Sequence, residues 1–181
     1  ENEIADRQRA ELALRTSERF VTSIVENIPH MLFVKTATDL RFVRLNKAGE
    51  ALLQCSRSDV LGRTDYDLFP KDQADFFTGK DREVLAAGKL VDIQEEPILT
   101  KSQSLRYLHT KKIPLFDEED RPEYLLGISE DITERLKSQD SLQRSEERYR
   151  ALYEDNPSMY FTVREDGTIL SVNRFGAQQL G

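Results

Sequence analysis

Tyr124-Leu125-Leu126-Gly127-Ile128-Ser129-Glu130-Asp131-Ile132-Thr133-Glu134-Arg135 begins as an apolar strand and ends as a charged helix. The change falls at Asp131-Ile132-Thr133. Thr133 is a suitable N-cap, and Glu134 places negative charge in the first turn, where the helix dipole favours it. The last strand of a sheet therefore runs straight into a helix that leaves the domain. A change felt by the sheet has a covalent path outward, and Asp131, Ile132 and Thr133 are the candidate relay residues.

Working back from that exit, Val91–Leu99 and Leu105–Leu115 read as two further strands, joined to the last by the acidic turn Asp117-Glu118-Glu119-Asp120. That turn lacks the spacing of a calcium loop. Upstream lie several helices. Asp72–Ala87 is the longest, with Phe76, Phe77, Val84 and Leu85 as its expected apolar face and Gly88 as its stop. Thr64–Phe69 and Ser58–Leu61 are short helices or turns, and Asn46–Gln54 is a helix capped by Asn46. Before them, Met31–Lys35 and Arg41–Leu45 form a hairpin. Runs of strands and runs of helices, rather than alternation, predict an α+β fold with a five-stranded antiparallel sheet and short helices on one face.

Residues 1–28 read as a linker helix stopped by Pro29. Ala10, Leu14, Ser17, Val21, Ile24 and Ile28 recur at spacings of four and three, a heptad seam suited to pairing helices. The beginning of the chain then recurs. Glu18-Arg19-Phe20 returns as Glu147-Arg148-Tyr149, Asn27 and Pro29 as Asn156 and Pro157, Met31 and Phe33 as Met159 and Phe161, Asn46 as Asn173, and Leu53 as Leu180. The expected organisation is a linker helix (1–28), a domain (29–133), a connecting helix (134–155), and the front of a second copy (156–181) cut before its long helix and last three strands.

The composition excludes several classes. There are 33 acidic and 26 basic residues among 181, a net charge of -7 that gives no reason to expect nucleic acid as a partner. No apolar run approaches the ~20 residues of a spanning helix. One cysteine, Cys55, excludes an internal disulfide. No phosphate loop, nucleophile elbow, triad or zinc spacing is present, so catalysis by this stretch is not expected.

Four stretches together resemble a PAS domain, in particular the PAS-4 type of bacterial sensory proteins: Phe33-Val34-Lys35, Gly62-Arg63-Thr64-Asp65-Tyr66-Asp67-Leu68-Phe69-Pro70, Lys112-Ile113-Pro114-Leu115, and Gly127–Arg135. The resemblance covers about 27–135 fully and 156–181 as the front of a second copy. It implies an input module of a histidine kinase or of an enzyme of cyclic-di-GMP metabolism. It also implies amphipathic linker helices that pair in a parallel homodimer, with adjacent PAS and output domains in the same chain. A cytoplasmic fragment is expected, of a parent whose membrane anchor, where it has one, lies elsewhere.

The resemblance also tests the family's cofactors. The helix Asp72–Ala87 has no histidine for haem; His30 and His109 lie at a hairpin start and in a strand. Cys55 lies outside the motif of a flavin-reactive cysteine and reads as an inert thiol. No cofactor is predicted, and a small ligand stays open. Lys35, Lys112, Asp65 and Asp67 match characteristic positions of the PAS-4 pattern. An ammonium there would hold a carboxylate ligand and a carboxylate an amine; alternatively the four form internal ion pairs fixing the short helix on the sheet. Phe33, Phe42, Phe69, Phe76, Phe77, Leu85 and Leu108 would line the cavity, as core first and pocket second. Two functions follow: a sensor whose cavity answers a small molecule, or a ligand-free dimerising spacer.

Overall fold

The computed structural model describes residues 2–180, in two units, Glu1–Thr133 and Glu134–Gly181. The first unit runs α1 (Asn2–Asn27), β1 (Met31–Thr36), β2 (Phe42–Leu45), α2 (Lys47–Leu53), α3 (Arg57–Val60), α4 (Asp65–Leu68), α5 (Lys71–Ala87), β3 (Val91–Leu99), β4 (Leu105–Phe116) and β5 (Pro122–Asp131). The five strands form one antiparallel sheet in the order β2-β1-β5-β4-β3. The fold is therefore the expected α+β arrangement, and the chain enters and leaves through adjacent central strands.

Alternation of side chains places Met31, Phe33 and Lys35 of β1 on the core face, with Leu108, Thr110 and Lys112 of β4 and Leu125, Gly127 and Ser129 of β5. Their apolar members pack with Phe42, Leu45, Leu53, Val60, Phe77, Val84 and Ile98. In β3 the alternation breaks. The register shifts between Ile93 and Glu96, and the bulge turns Glu96 and Ile98 inward where strict alternation from Val91 and Ile93 would have chosen Glu95.

Asn46 fixes the start of α2. Its Oδ1 accepts from the amides of Gly49 and Leu32, and its Nδ2 donates to the carbonyls of Val25 and His30. One buried amide thus satisfies a helix end, a strand end and the end of α1. Arg57 extends the same joint by donating to Glu26 of α1 and Glu50 of α2. Its hydrogen bond holds the Glu26 carboxyl below the usual range. The heptad seam of α1 stays exposed at Leu14, Val21 and Ile24.

The face that α5 buries differs from expectation. Ala74, Phe77, Asp81 and Val84 point inward, at spacings of three, four and three, whereas Phe76 is exposed and only touches Phe77 edge-on. An aspartate occupies the centre of the stripe, so the helix had to be rotated relative to its purely apolar reading. Two hydrogen bonds hold it in place: Arg82 donates to the carbonyls of Ala37 and Thr38 in the β1–β2 turn.

The exit is pinned. Ile132 is buried and its amide donates to the Tyr107 carbonyl of β4. Thr133 does not use its hydroxyl as the expected N-cap; Thr133 Oγ1 instead accepts from the Tyr107 amide. The Asp131 carboxylate takes the local role, accepting from the Thr133 amide.

The second unit contains α6 (Thr133–Tyr153, of which Thr133 belongs to the first unit), β6 (Phe161–Val163), β7 (Ile169–Val172) and α7 (Arg174–Leu180). Asn173 reproduces the Asn46 joint, accepting from the amides of Tyr160 and Gly176 and donating to the carbonyls of Tyr153 and Ser158. Among the described residues no helix is long and apolar enough to cross a membrane.

Candidate functional site

Five charged side chains from five elements meet between the sheet and the helices. Lys35 of β1 donates to Asp65 Oδ2 of α4 at 2.6 Å and to Asp81 Oδ2 of α5 at 2.6 Å. Lys112 of β4 donates to the other oxygen of the same carboxylate, Asp81 Oδ1, at 2.7 Å. The Lys112 ammonium also lies 3.5 Å from Glu96 Oε1 of β3. The result is a chain of alternating sign, Asp65–Lys35–Asp81–Lys112–Glu96. Every member is at most 5% exposed in its side chain.

Such burial is costly for an isolated charge and tolerable only when each is paired. Here Asp81 spends both oxygens on two lysines. The lysine stems cross aromatic rings, and the Lys35 ammonium sits 4.6 Å from the Phe42 centroid. Two cations face three carboxylates, so the cluster carries one negative charge in excess when all are ionised. Burial pushes the Asp65 carboxyl above its ordinary value, against the opposing pull of Lys35. Burial alone would lower the Lys112 value, but the Asp81 and Glu96 charges outweigh it and hold the lysine above its usual range. The contribution of Asp65 to stability is thus present below its unfolded pKa and lost as pH rises through its folded one. That of Lys112 is present below the ordinary lysine value and lost as pH climbs through its raised one.

The chain of polar contacts continues to β5. Thr110 Oγ1 donates to Glu96 Oε2 at 2.6 Å, which leaves Ser129 Oγ to donate to Thr110 Oγ1 at 2.9 Å. Ser129 precedes Thr133 by four residues on the exit strand. Beside the cluster lies a cavity of about 30 Å³, whose walls include Phe33, Phe42, Leu53, Phe69, Phe77 and Leu108. A wider cleft of about 470 Å³ opens between α2–α4 and the β3–β4 turn. Leu53 and Phe69 line both spaces.

Of the residues expected at the site, the structure brings together Phe33, Lys35, Phe42, Asp65, Phe69, Phe77, Leu108 and Lys112. Asp67 and Phe76 lie elsewhere. Asp67 caps α4, its Oδ2 accepting from the Thr64 amide and hydroxyl, and the Thr64 amide holds its carboxyl low. It faces the outer cleft. Leu85 is partly buried against the core without lining the cavity. Cys55 is half-buried at the outer cleft with its thiol pushed up by burial, which suits an inert group. His109 Nε2 is 2.5 Å from Asp92 Oδ1. The Asp117 turn closes on itself, its Oδ1 accepting from the amides of Glu119 and Arg121. Asp81 and Glu96 are the two members that sequence reading missed. Asp81 was findable as a carboxylate at the centre of a three-four-three stripe; Glu96 was hidden by the bulge.

Residues 25–137 match the profile of the PAS-fold family, and 147–181 match a PAS-domain profile. The uncharacterized protein y4lL of Sinorhizobium fredii is 33% identical over 152 residues, 83% of this chain and 18% of that protein. The methanogenesis regulatory histidine kinase FilI of Methanothrix harundinacea is 30% identical over 121 residues, 67% of this chain and 13% of that protein. The chain therefore spans under a fifth of the length of either relative. Among solved structures, the PAS domain of an HTR-like protein from Haloarcula marismortui superposes with a TM-score of 0.56 at 23% identity, over 69% of this chain and 99% of that one.

Proposed function

The chain belongs to the PAS family, as a sensory domain of the PAS-4 type, and on that premise we propose that its buried charge chain is the input element and α6 the output rod. One observation carries the reading. The contacts that start at Asp65 pass through Lys35, Asp81, Lys112, Glu96 and Thr110 and end at Ser129, on the strand that becomes α6. A ligand or proton that changes the charge of the cluster changes the hydrogen bonds of that strand. Ile132 and Thr133, both bonded to Tyr107, then pass the change to the helix. The proposed parent is a histidine kinase or a cyclic-di-GMP enzyme, and this stretch acts on its output domain without catalysing a reaction itself. Its proposed location is the cytoplasm.

Thr110→Val tests the relay, because it removes the single hydroxyl that joins Glu96 to Ser129 while keeping the side-chain shape. Hydrogen exchange is expected to accelerate at least about tenfold in residues 129–140, equivalent to about 1.4 kcal/mol, because two buried hydrogen bonds are lost, with little change in α2. Loss spread evenly over the domain, or absent from 129–140, contradicts the relay.

The exposed stripes favour a second reading, a spacer that pairs chains without any ligand. Leu14, Val21 and Ile24 of α1 and Leu142, Tyr149 and Leu152 of α6 are all uncovered. In both readings two chains pair in parallel through these helices; an occupied or empty cavity separates them.

A further inference from the structure

The cluster lacks one cation. Among the described residues, Glu96 Oε1 is the buried side-chain polar atom without a hydrogen bond, although Lys112 lies 3.5 Å away. Glu96 lines the 30 Å³ cavity, which exceeds the ~10–15 Å³ that one water needs. An ammonium head is of that size. The lysines are already committed: Lys35 to Asp65 and Asp81, Lys112 to Asp81 and Glu96. A carboxylate ligand would enter a cluster that is already negative, against the charges of Asp65, Asp81 and Glu96. A cation would meet a carboxylate oxygen that accepts no hydrogen bond, beside aromatic faces.

We propose that this cavity takes the head of a small primary ammonium ion, with Glu96 as its anchor and the outer cleft as the place for its apolar tail. This rests on reading the cluster as the ligand site of the sensor and names the ligand's chemical class. The head pairs with Glu96 Oε1. The tail passes between Leu53 and Phe69, which separate the two spaces, toward Leu68, Pro70 and Leu99 in the cleft. Opening the passage requires those two side chains to turn. The charged groups lining the cavity are Asp65 from α4, Lys35 from β1, Glu96 from β3 and Lys112 from β4, backed by Asp81 from α5 on the lysines and by the Thr110 hydroxyl on Glu96 Oε2. The ammonium head would offset the one negative charge that the cluster carries in excess.

The test is calorimetric titration of the full chain with n-butylammonium chloride, sodium butyrate and n-butanol at neutral pH. Only butylammonium is expected to bind. Glu96→Gln, which keeps the shape and removes the charge, is expected to weaken binding at least about tenfold. Butyrate binding as well as butylammonium, butanol binding equally, or unchanged affinity in Glu96→Gln would each overturn the proposal. No binding by any of the three also overturns it, a water then filling the cavity. That result leaves the relay standing, because the Thr110→Val exchange pattern measures the relay in the ligand-free protein.

Discussion

Asp81→Ala is expected to cost about 3–5 kcal/mol, the largest single loss available in this domain, because it strands two buried lysines at once. Both ammonium groups are within 2.7 Å of this carboxylate, and the side chain is fully buried. With it gone, Lys35 keeps Asp65, Lys112 keeps only the 3.5 Å contact to Glu96, and α5 loses its tie to two strands. Urea denaturation reads the effect as a large fall in the transition midpoint. The domain's stability is of the order of 5–15 kcal/mol, so part of the population unfolds near room temperature. A midpoint within the range of an ordinary surface substitution would show that the lysines do not depend on Asp81.

Gly127→Ala is the second. Gly127 lies on β5 between Phe33 of β1 and Lys112 of β4, paired with both. A Cβ there would fall 2.1 Å from Phe33 Cζ. The Phe33 ring is buried, tilted against Phe42 with centroids 5.7 Å apart, and faces the Lys35 ammonium, so it cannot retreat without disturbing the charge chain. Overpacking of this kind costs about 1–3 kcal/mol. Phe33→Leu, which removes the clashing ring edge, should recover part of the loss in the double variant. A neutral Gly127→Ala, or a double variant whose losses simply add, contradicts this account of the glycine.

The strand order of this fold was not written in local pattern, but strand identity was. The apolar run Met31–Val34, the stretch Leu105–Leu115 between turn signals, and the step at Asp131–Thr133 located the sheet and its exit, although Leu105, Ile113 and Leu115 prove exposed. The lysines were marked by the resemblance to the PAS-4 pattern rather than by phase, since the apolar Ile113 and Leu115 that follow Lys112 are exposed. Their partners were harder. Glu96 lies beyond a bulge, which no periodicity can anticipate. Asp81 was masked by two adjacent phenylalanines, which drew the apolar face toward Phe76 and away from the true stripe. The capping role of Asp67 was hidden by its nearness to Asp65: two aspartates two residues apart on a short helix face opposite ways, one into the core and one to the helix end. Thr133 resembled a cap because it starts the helix, yet tertiary pairing with β4 claimed its hydroxyl.

The most direct test of the buried charge chain is the nitrogen–proton NMR spectrum of the lysine side chains at neutral pH. Two ammonium groups, Lys35 and Lys112, are predicted to exchange slowly with water, both hydrogen-bonded to the single Asp81 carboxyl, and both to lose that signature in Asp81→Asn. Lysine signals that all exchange as rapidly as exposed ones, with none connected to Asp81, would contradict it.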